Sequence, residues 1–494
     1  MKWIFKQYRV LFGRVLFCFK IIWLLLAFLQ ISSGLSFAGA KKVNILIRMM
    51  DTQDQWFRKR IIPAAEKELG VKINAITYNR LSDIEEMVRL EKKSGKYTIA
   101  LIKTEMSQVR TMVRLGYVLP LNDIIDPVKL KKEMAEYSDN AVNFATINGK
   151  VYYVPRKLET NTFLYKKSKL KEAINRWPLF AKQINEMFKK HNGYGLPSDY
   201  ELETDPGLWD WYDLAVVSFC WSHTKGEFGL TMPRMVHRGR NYGGTTIELL
   251  TKLYQINGSN KDILAMDTQP VLDLFEWEAF YVENNLYNNS MWIQRWSGGD
   301  IWGGFASGQV YGAFMHQVDA FSIHERYLKD PLDLGVAIMP GGASMELDKK
   351  GKPVRLGGHV SNFAGWWWGI PVTTPDAKLS YDIARFITSY EIHLEECLKF
   401  GMIPIRKDIS EKIDKKMLEP WKRNILKTAM LQYASGTRVL PLDKDFSKIS
   451  SVWRKAWFNI VTKKQYSDNG EGVDVNIIKK RLKLYSRQCK DILQ

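Results

Sequence analysis

The stretch VNILIRMM (Val43–Met50) is a nearly unbroken apolar run with β-branched side chains, the pattern of a strand buried on both faces. Asp51 to Asp54 follow as a polar turn with N-cap chemistry. A helix then carries Trp56, Phe57, Ile61, Ala64, Ala65 and Leu69 on one face and stops at Gly70. Pro63 falls inside it, so the spacing predicts a kink or a late start. Val71 to Tyr78 reads as a second strand, Ser82 to Lys93 as a polar helix and Thr98 to Ile102 as a third strand. Strand and helix alternating in this way predict a parallel α/β sheet.

The alternation continues. Met106 to Leu115 reads as a helix that stops at Gly116. Further strands are expected at Lys150–Val154 (ended by Pro155), Phe163–Tyr165, Tyr311–Met315, Leu334–Met339 and Trp366–Val372. Trp177 to Tyr287 is mainly helical in pattern, with helices near Thr246–Tyr254 and Val271–Glu283. Asp376 opens one amphipathic helix whose apolar positions run from Leu379 to Leu398. From Ile409 onward the pattern is again helical. No internal repeat, low-complexity tract or long linker divides the chain. Two α/β lobes joined by several chain crossings fit that continuity better than separate beads.

Residues 1–40 stand apart. Lys2, Lys6, Arg9, Arg14 and Lys20 meet no acid, and the apolar run IIWLLLAFLQI (Ile21–Ile31) follows. That run is short for a bilayer span but has the length of a signal core, and Ala38 and Ala40 supply an A-x-A cleavage pattern. The reading is a cleaved secretory signal, the alternative an uncleaved anchor. In the 494-residue chain 46% of residues are hydrophobic and 25% charged, which excludes a disordered or collagen-like protein. The net charge of +19 is unevenly spread. Residues 405–494 hold 21 Lys and Arg against 10 Asp and Glu, whereas residues 41–404 hold 46 against 43. Export argues against nucleic acid as the partner. An anionic surface, a docking partner, an acidic ligand or a merely solvated face remain open for the basic tail.

Catalytic signatures are missing: there is no HExxH, GxSxG, Walker loop or GxGxxG after a strand. The seven His residues show no metal-ligand spacing, so neither metal nor cofactor is expected. Cys220, Cys397 and Cys489 read as small buried hydrophobes, with one disulfide left open. The positive signal is aromatic. Clusters occur at Trp209–Tyr212, at Trp292, Trp296 and Trp302, at Trp366–Trp368 and at Trp453 and Trp457, several with carboxylates, amides or arginines beside them. A sugar ring offers an apolar C–H face to an indole and a rim of hydroxyls to polar groups. Half or more of these indoles are expected to be core. The i, i+4 spacing of Trp453 and Trp457 favours packing, and on a strand Trp366 and Trp368 share one face while Trp367 takes the other.

In their order along the chain these segments resemble the extracellular solute-binding proteins of ABC importers, in the sugar-binding, maltodextrin-binding-protein-like group. IALIKTEMSQVRTMVRLGYVLPLND (Ile99–Asp123) is similar to that family's strand, helix and G-x-L-x-P-L stretch. GKVYYVPRKLETNTFLYKKSKL (Gly149–Leu170), GVAIMPGG (Gly335–Gly342) and FGMIPIRKDI (Phe400–Ile409) resemble its three crossovers. FASGQVYGAF (Phe305–Phe314) and WWWGIPVTTPDAKLSYDIARFIT (Trp366–Thr388) resemble the strands between them. The chain departs from the family in having Trp366-Trp367 where glycines usually precede the strand tryptophan.

The resemblance implies a two-lobe periplasmic-binding-protein fold, each lobe a sheet flanked by helices, with a three-crossing hinge and a ligand cleft between lobes. Residues 1–40 would be the signal, 41–157 plus 340–402 the N-terminal lobe and 158–339 plus 403–494 the C-terminal lobe. It implies a non-catalytic periplasmic protein, expected as a monomer. Such a protein captures a carbohydrate, above all an oligosaccharide, and delivers it to membrane permease subunits. By position, the candidate ligand contacts are Asp51, Gln53, Trp56, Glu105, Asn161, Trp211, His316, Asp319, Trp366, Trp368 and Arg406, with Lys103 and Arg156 as further partners should the ligand carry a carboxylate. Rival readings are a binder of another solute, such as iron or a polyamine, and a secreted lyase or hydrolase working through two carboxylates.

Overall fold

The computed structural model describes residues 40–494 apart from 227, 228, 327, 329, 417, 418, 442–444 and 469. The expected signal segment therefore lies outside the described residues, apart from Ala40. Among the described residues no helix is long and apolar enough to cross a membrane.

Apart from a short antiparallel hairpin of Thr146–Ile147 with Lys150–Val151, which takes the start of the strand expected from Lys150, the strands in chain order are β1 (Lys41–Ile47), β2 (Val71–Thr77), β3 (Ile99–Glu105), β4 (Tyr153–Glu159), β5 (Asn161–Lys166) and β6 (Met235–Val236). They continue with β7 (Gly312–His316), β8 (Leu334–Ala337), β9 (Ser361–Asn362), β10 (Ala364–Gly369) and β11 (Thr437–Arg438). One sheet has the order β2-β1-β3-β10-β4, the other β8-β5-β7-β6. In the first, β1 pairs parallel with β2 and β3, as the alternating pattern requires, and β10 runs antiparallel to both β3 and β4. Helices flank both sheets, which gives the two-lobe α/β architecture. The short strand β6 was not anticipated, because two residues carry too little alternation to stand out in a helical region.

Local departures from the expected elements have physical causes. The helix from Asp51 to Leu69 is neither broken nor late. Its middle turn, Phe57–Ile61, widens to i→i+5 geometry just before Pro63, whose ring would otherwise clash with the turn behind it and which has no N–H to donate to that turn. Pro155 does not end its strand. β4 is the sheet edge, where a missing N–H costs little, and the register slips there, Trp366 facing Lys157 but Trp367 facing Pro155. The helix opened by Asp376 ends at Ile387, and Ser389 precedes a second one, Tyr390–Phe400. Cys220, Cys397 and Cys489 are all buried and free. Trp453 and Trp457 are fully buried, as their spacing predicts.

Two crossings run side by side. β4 passes through Thr160 into β5 of the other lobe, and β9 passes through Phe363 into β10. The Thr160 hydroxyl donates to the Asn362 carbonyl (3.0 Å), and the Ser361 hydroxyl donates to the Asn161 carbonyl (3.0 Å). The second crossing thus lies about twenty residues beyond the expected GVAIMPGG segment. That segment stays with the second lobe: Met339 and Gly341 donate their backbone N–H groups to Gln432 and Trp209, and Trp277 and Tyr212 donate to the carbonyls of Ala343 and Ser344. Near the third expected crossover, Ser138 donates to the Ile405 carbonyl and Lys407 to that of Glu136, so the chain is still on the first lobe there. It reaches the second with the helix Pro420–Ser435, which packs on β5 and β8.

Candidate functional site

The carboxyl ends of β1, β3 and β4, the start of β10 and the end of β7 converge on a cavity of about 310 Å³ between the lobes. That is the low end of the range for small-molecule pockets, about 300–1,000 Å³. From the first lobe it is lined by Arg48, Gln53, Lys103, Glu105, Lys157, Glu159 and Trp366, and from the second by Arg238, His316 and Asp319, with Met and aliphatic side chains between.

Trp366 reaches this cavity because it lies in the first half of β10, close to where the strand leaves the crossing. Gly365 before it is needed for the close approach: a Cβ there would lie 2.7 Å from the Lys157 carbonyl oxygen. The indole is half-buried, its face 3.9 Å from the Lys103 ammonium, and its N–H points at Glu159 (3.4 Å). Lys103 is buried, and its ammonium donates to the Arg48 carbonyl. Burial, then the nearby Arg156, pull its pKa well below the usual lysine range. Burial alone would raise Glu159, but Lys157, paired with it, and then His316 and Lys103 bring it to about 2. Glu105 is raised by burial, with Arg48 at 3.5 Å opposing.

The second lobe contributes a cluster centred on Arg238. Its guanidinium donates to Glu248 (2.8 Å), Asp319 (3.2 Å) and the Nδ1 of His316 (3.3 Å). The Trp302 N–H donates to the other Asp319 oxygen (3.1 Å). Burial pushes Asp319 up to about 6 and Glu248 to about 7, against the pull of Arg238. Burial and then Arg238 push His316 down to about 3, so the ring is neutral at ordinary pH.

Of the residues expected from sequence, the structure brings Gln53, Glu105, His316, Asp319 and Trp366 together on this cavity, and Lys103, expected only for a ligand carboxylate, joins them. The others stand elsewhere. Asp51 is exposed at the start of its helix, next to the lining residue Met50. Asn161 lies behind the cavity, donating to Glu248 (3.3 Å). Trp56 packs edge-on to Phe400 and donates to Glu395 (2.7 Å). Trp211 donates to Gln255 (2.9 Å) in the second lobe's core. Trp368 is fully buried and stacks on Phe57. Arg406 is held by Glu136 (2.9 Å) and Asp408 (2.8 Å), and Arg156 by buried Glu396.

Arg48, Lys157, Glu159, Arg238 and Glu248 were not among the expected contacts. Arg48 had a signal, a lone charge at the end of a buried strand. Arg238 had a weaker one, the His237-Arg238-Gly239-Arg240 turn after two apolar residues.

Two facing α/β lobes, paired crossings and a polar cavity with an indole in its wall define a cleft-type binding protein. The chain belongs to the bacterial extracellular solute-binding protein family, whose model matches residues 60–427. Curated protein sequences give no match. Among solved structures it is similar to maltose-bound MalE3 of T. maritima, with a TM-score of 0.65 at 15% identity over 90% of this chain and 100% of that one. It is also similar to an ABC transporter solute-binding protein of Thermotoga lettingae TMO bound with α-D-tagatose: TM-score 0.66, 16% identity, 92% of this chain and 100% of that one. The cyclic α-maltosyl-1,6-maltose binding protein of Arthrobacter globiformis gives a TM-score of 0.61 at 15% identity over 91% and 100%. At such identities the likeness is one of fold.

Proposed function

We propose that this protein captures a carbohydrate in the cleft between its lobes and delivers it to the membrane permease of an ABC importer. The observation that carries this reading is the half-buried Trp366 face set among ionic and amide groups from both lobes. An apolar ring face beside a dense rim of donors and acceptors matches the two sides of a sugar. The bound sugars of the similar structures support the same reading. The protein acts outside the cytoplasm, exported by the basic, apolar leader of residues 1–40 into the periplasm, and works as a monomer without turning its ligand over.

Calorimetry or thermal shift of the mature protein against neutral sugars, oligosaccharides and uronates tests the reading. Binding of a sugar should raise the melting temperature by mass action. Absence of any response across the panel would reject it, and chromatographic detection of altered sugar from clean protein would replace it with an enzyme.

A further inference from the structure

Gln53 and His316 stand on opposite walls of the cavity, and each carries one buried polar atom without a hydrogen-bond partner: Oε1 of Gln53 and Nε2 of His316. The chemistry of each atom follows from its neighbours. The Gln53 nitrogen lies 2.6 Å from Oε1 of Glu396, an acceptor that also takes a hydrogen bond from Arg156. The group facing Glu396 must therefore be the amide N–H, which leaves the amide oxygen as a spare acceptor. His316 is fixed in the same way. Its Nδ1 lies 3.3 Å from the Arg238 guanidinium, which can only donate. Nδ1 is therefore the accepting nitrogen, and in the neutral ring the proton sits on Nε2, a spare donor.

A buried acceptor on one lobe and a buried donor on the other call for a ligand that can both give and take a hydrogen bond. The charges around them are already matched: Arg48 with Glu105, Lys157 with Glu159, and Arg238 with Asp319 and Glu248. Lys103 has its ammonium on a carbonyl and over an indole. A ligand carboxylate would add a charge where the carboxylates present already balance these cations, and would offer Gln53 no hydrogen. A hydroxyl offers both.

We infer that the cleft selects an uncharged polyhydroxylated ligand, one hydroxyl hydrogen being accepted by Gln53 Oε1 and one hydroxyl oxygen taking the His316 Nε2–H. This deepens the carbohydrate reading, on which it rests, and sets uronates at a disadvantage, because their carboxylate meets no unmatched cation in the cavity wall. Each lobe alone leaves one of these atoms unsatisfied, so the ligand gains both bonds only when the lobes face each other.

Two measurements test this. Nitrogen NMR of ligand-free protein at neutral pH should find His316 neutral with its proton on Nε2. A ring protonated on Nδ1 alone, or on both nitrogens, overturns the inference whatever the ligand. Titration with maltose, D-mannitol and D-glucuronate should show a neutral compound binding and glucuronate binding at least ten-fold more weakly. His316→Leu should weaken the neutral compound roughly 2- to 10-fold, the range of a neutral hydrogen bond, and His316→Gln, whose amide can donate, should recover part of the loss. Equal losses in both variants would overturn the donor role. Preference for glucuronate would overturn this inference and leave the carbohydrate reading standing, whereas no binding by any sugar would overturn both.

Discussion

Trp366 stands directly opposite Glu105 in the antiparallel pairing of β10 with β3. That register places an indole beside the end of the third strand of a parallel core, at the crevice where ligands of open α/β sheets bind. Two residues more than 250 positions apart in sequence thereby become neighbours in one wall.

Trp366→Ala should weaken binding of the cognate sugar by about 2 kcal/mol, roughly 30-fold, because an apolar face is lost from the cavity wall. Because the ring lies outside the hydrophobic core, little change in stability is expected. Trp368→Ala should do the opposite. That ring is fully buried against Phe57, so its removal should cost about 3–5 kcal/mol of stability in denaturant titration. Equal effects of the two substitutions on affinity would remove the distinction between wall and core.

The contrast shows how far the sequence could be read. Alternation of apolar runs and helical stripes placed most strands, because burial on both faces leaves an unmistakable pattern, whereas the two-lobe architecture came from the undivided chain and the family resemblance. It also grouped Trp366 and Trp368 on one face. Whether an indole on that face meets a cavity or another ring depends on Phe57, far away in sequence. Arg238 carried only a weak signal for a related reason: its partners Glu248 and Asp319 are ordinary charged residues until the fold buries all three. The second crossing was displaced because GVAIMPGG resembles the family's second crossover, yet its backbone is tied to Trp209, Gln255 and Gln432.

Arg406→Ala separates the sequence expectation from the geometry. The guanidinium is engaged by Glu136 and Asp408 on the first lobe and is not part of the cavity lining. Sugar affinity should stay within two-fold of wild type, while stability falls by about 1 kcal/mol through loss of a partly exposed ion-pair network. A ten-fold loss of affinity with unchanged stability would return Arg406 to the site.

The Arg238 cluster predicts a signature in acid. Asp319 has its folded pKa raised to about 6 by burial, above the 3.8 of an ordinary aspartate. Its contribution to stability is thus fully present below about 3.8 and is lost as pH rises through about 6. His316, lowered to about 3, acts in the opposite direction, its contribution present above 6.5 and lost as pH falls. The two partly cancel in wild type, so a variant is needed to see either. In denaturant titrations from pH 4 to 7, the stability of wild type relative to Asp319→Asn should fall with rising pH, by up to about 3 kcal/mol. A constant difference would mean that Asp319 titrates normally.

Gln317, which follows β7, joins the hinge to both lobes and was not singled out by sequence. Its side-chain oxygen accepts from the Thr160 N–H (2.9 Å) in the first crossing, and its nitrogen donates to the Gly401 carbonyl (3.3 Å). Gln317→Leu would leave a buried N–H without a partner at the pivot, at a cost of about 1–3 kcal/mol of stability. The hinge it braces should still bend. A ligand that bonds both walls stabilises whichever lobe arrangement brings them together, so small-angle scattering of wild type should show a smaller radius of gyration at saturating sugar. The gain on closing comes from the ligand rather than from Gln317, so the Leu variant should contract too, once enough sugar is present to offset its weaker pivot. Contraction in neither protein would make the cleft rigid and confine the role of Gln317 to stability.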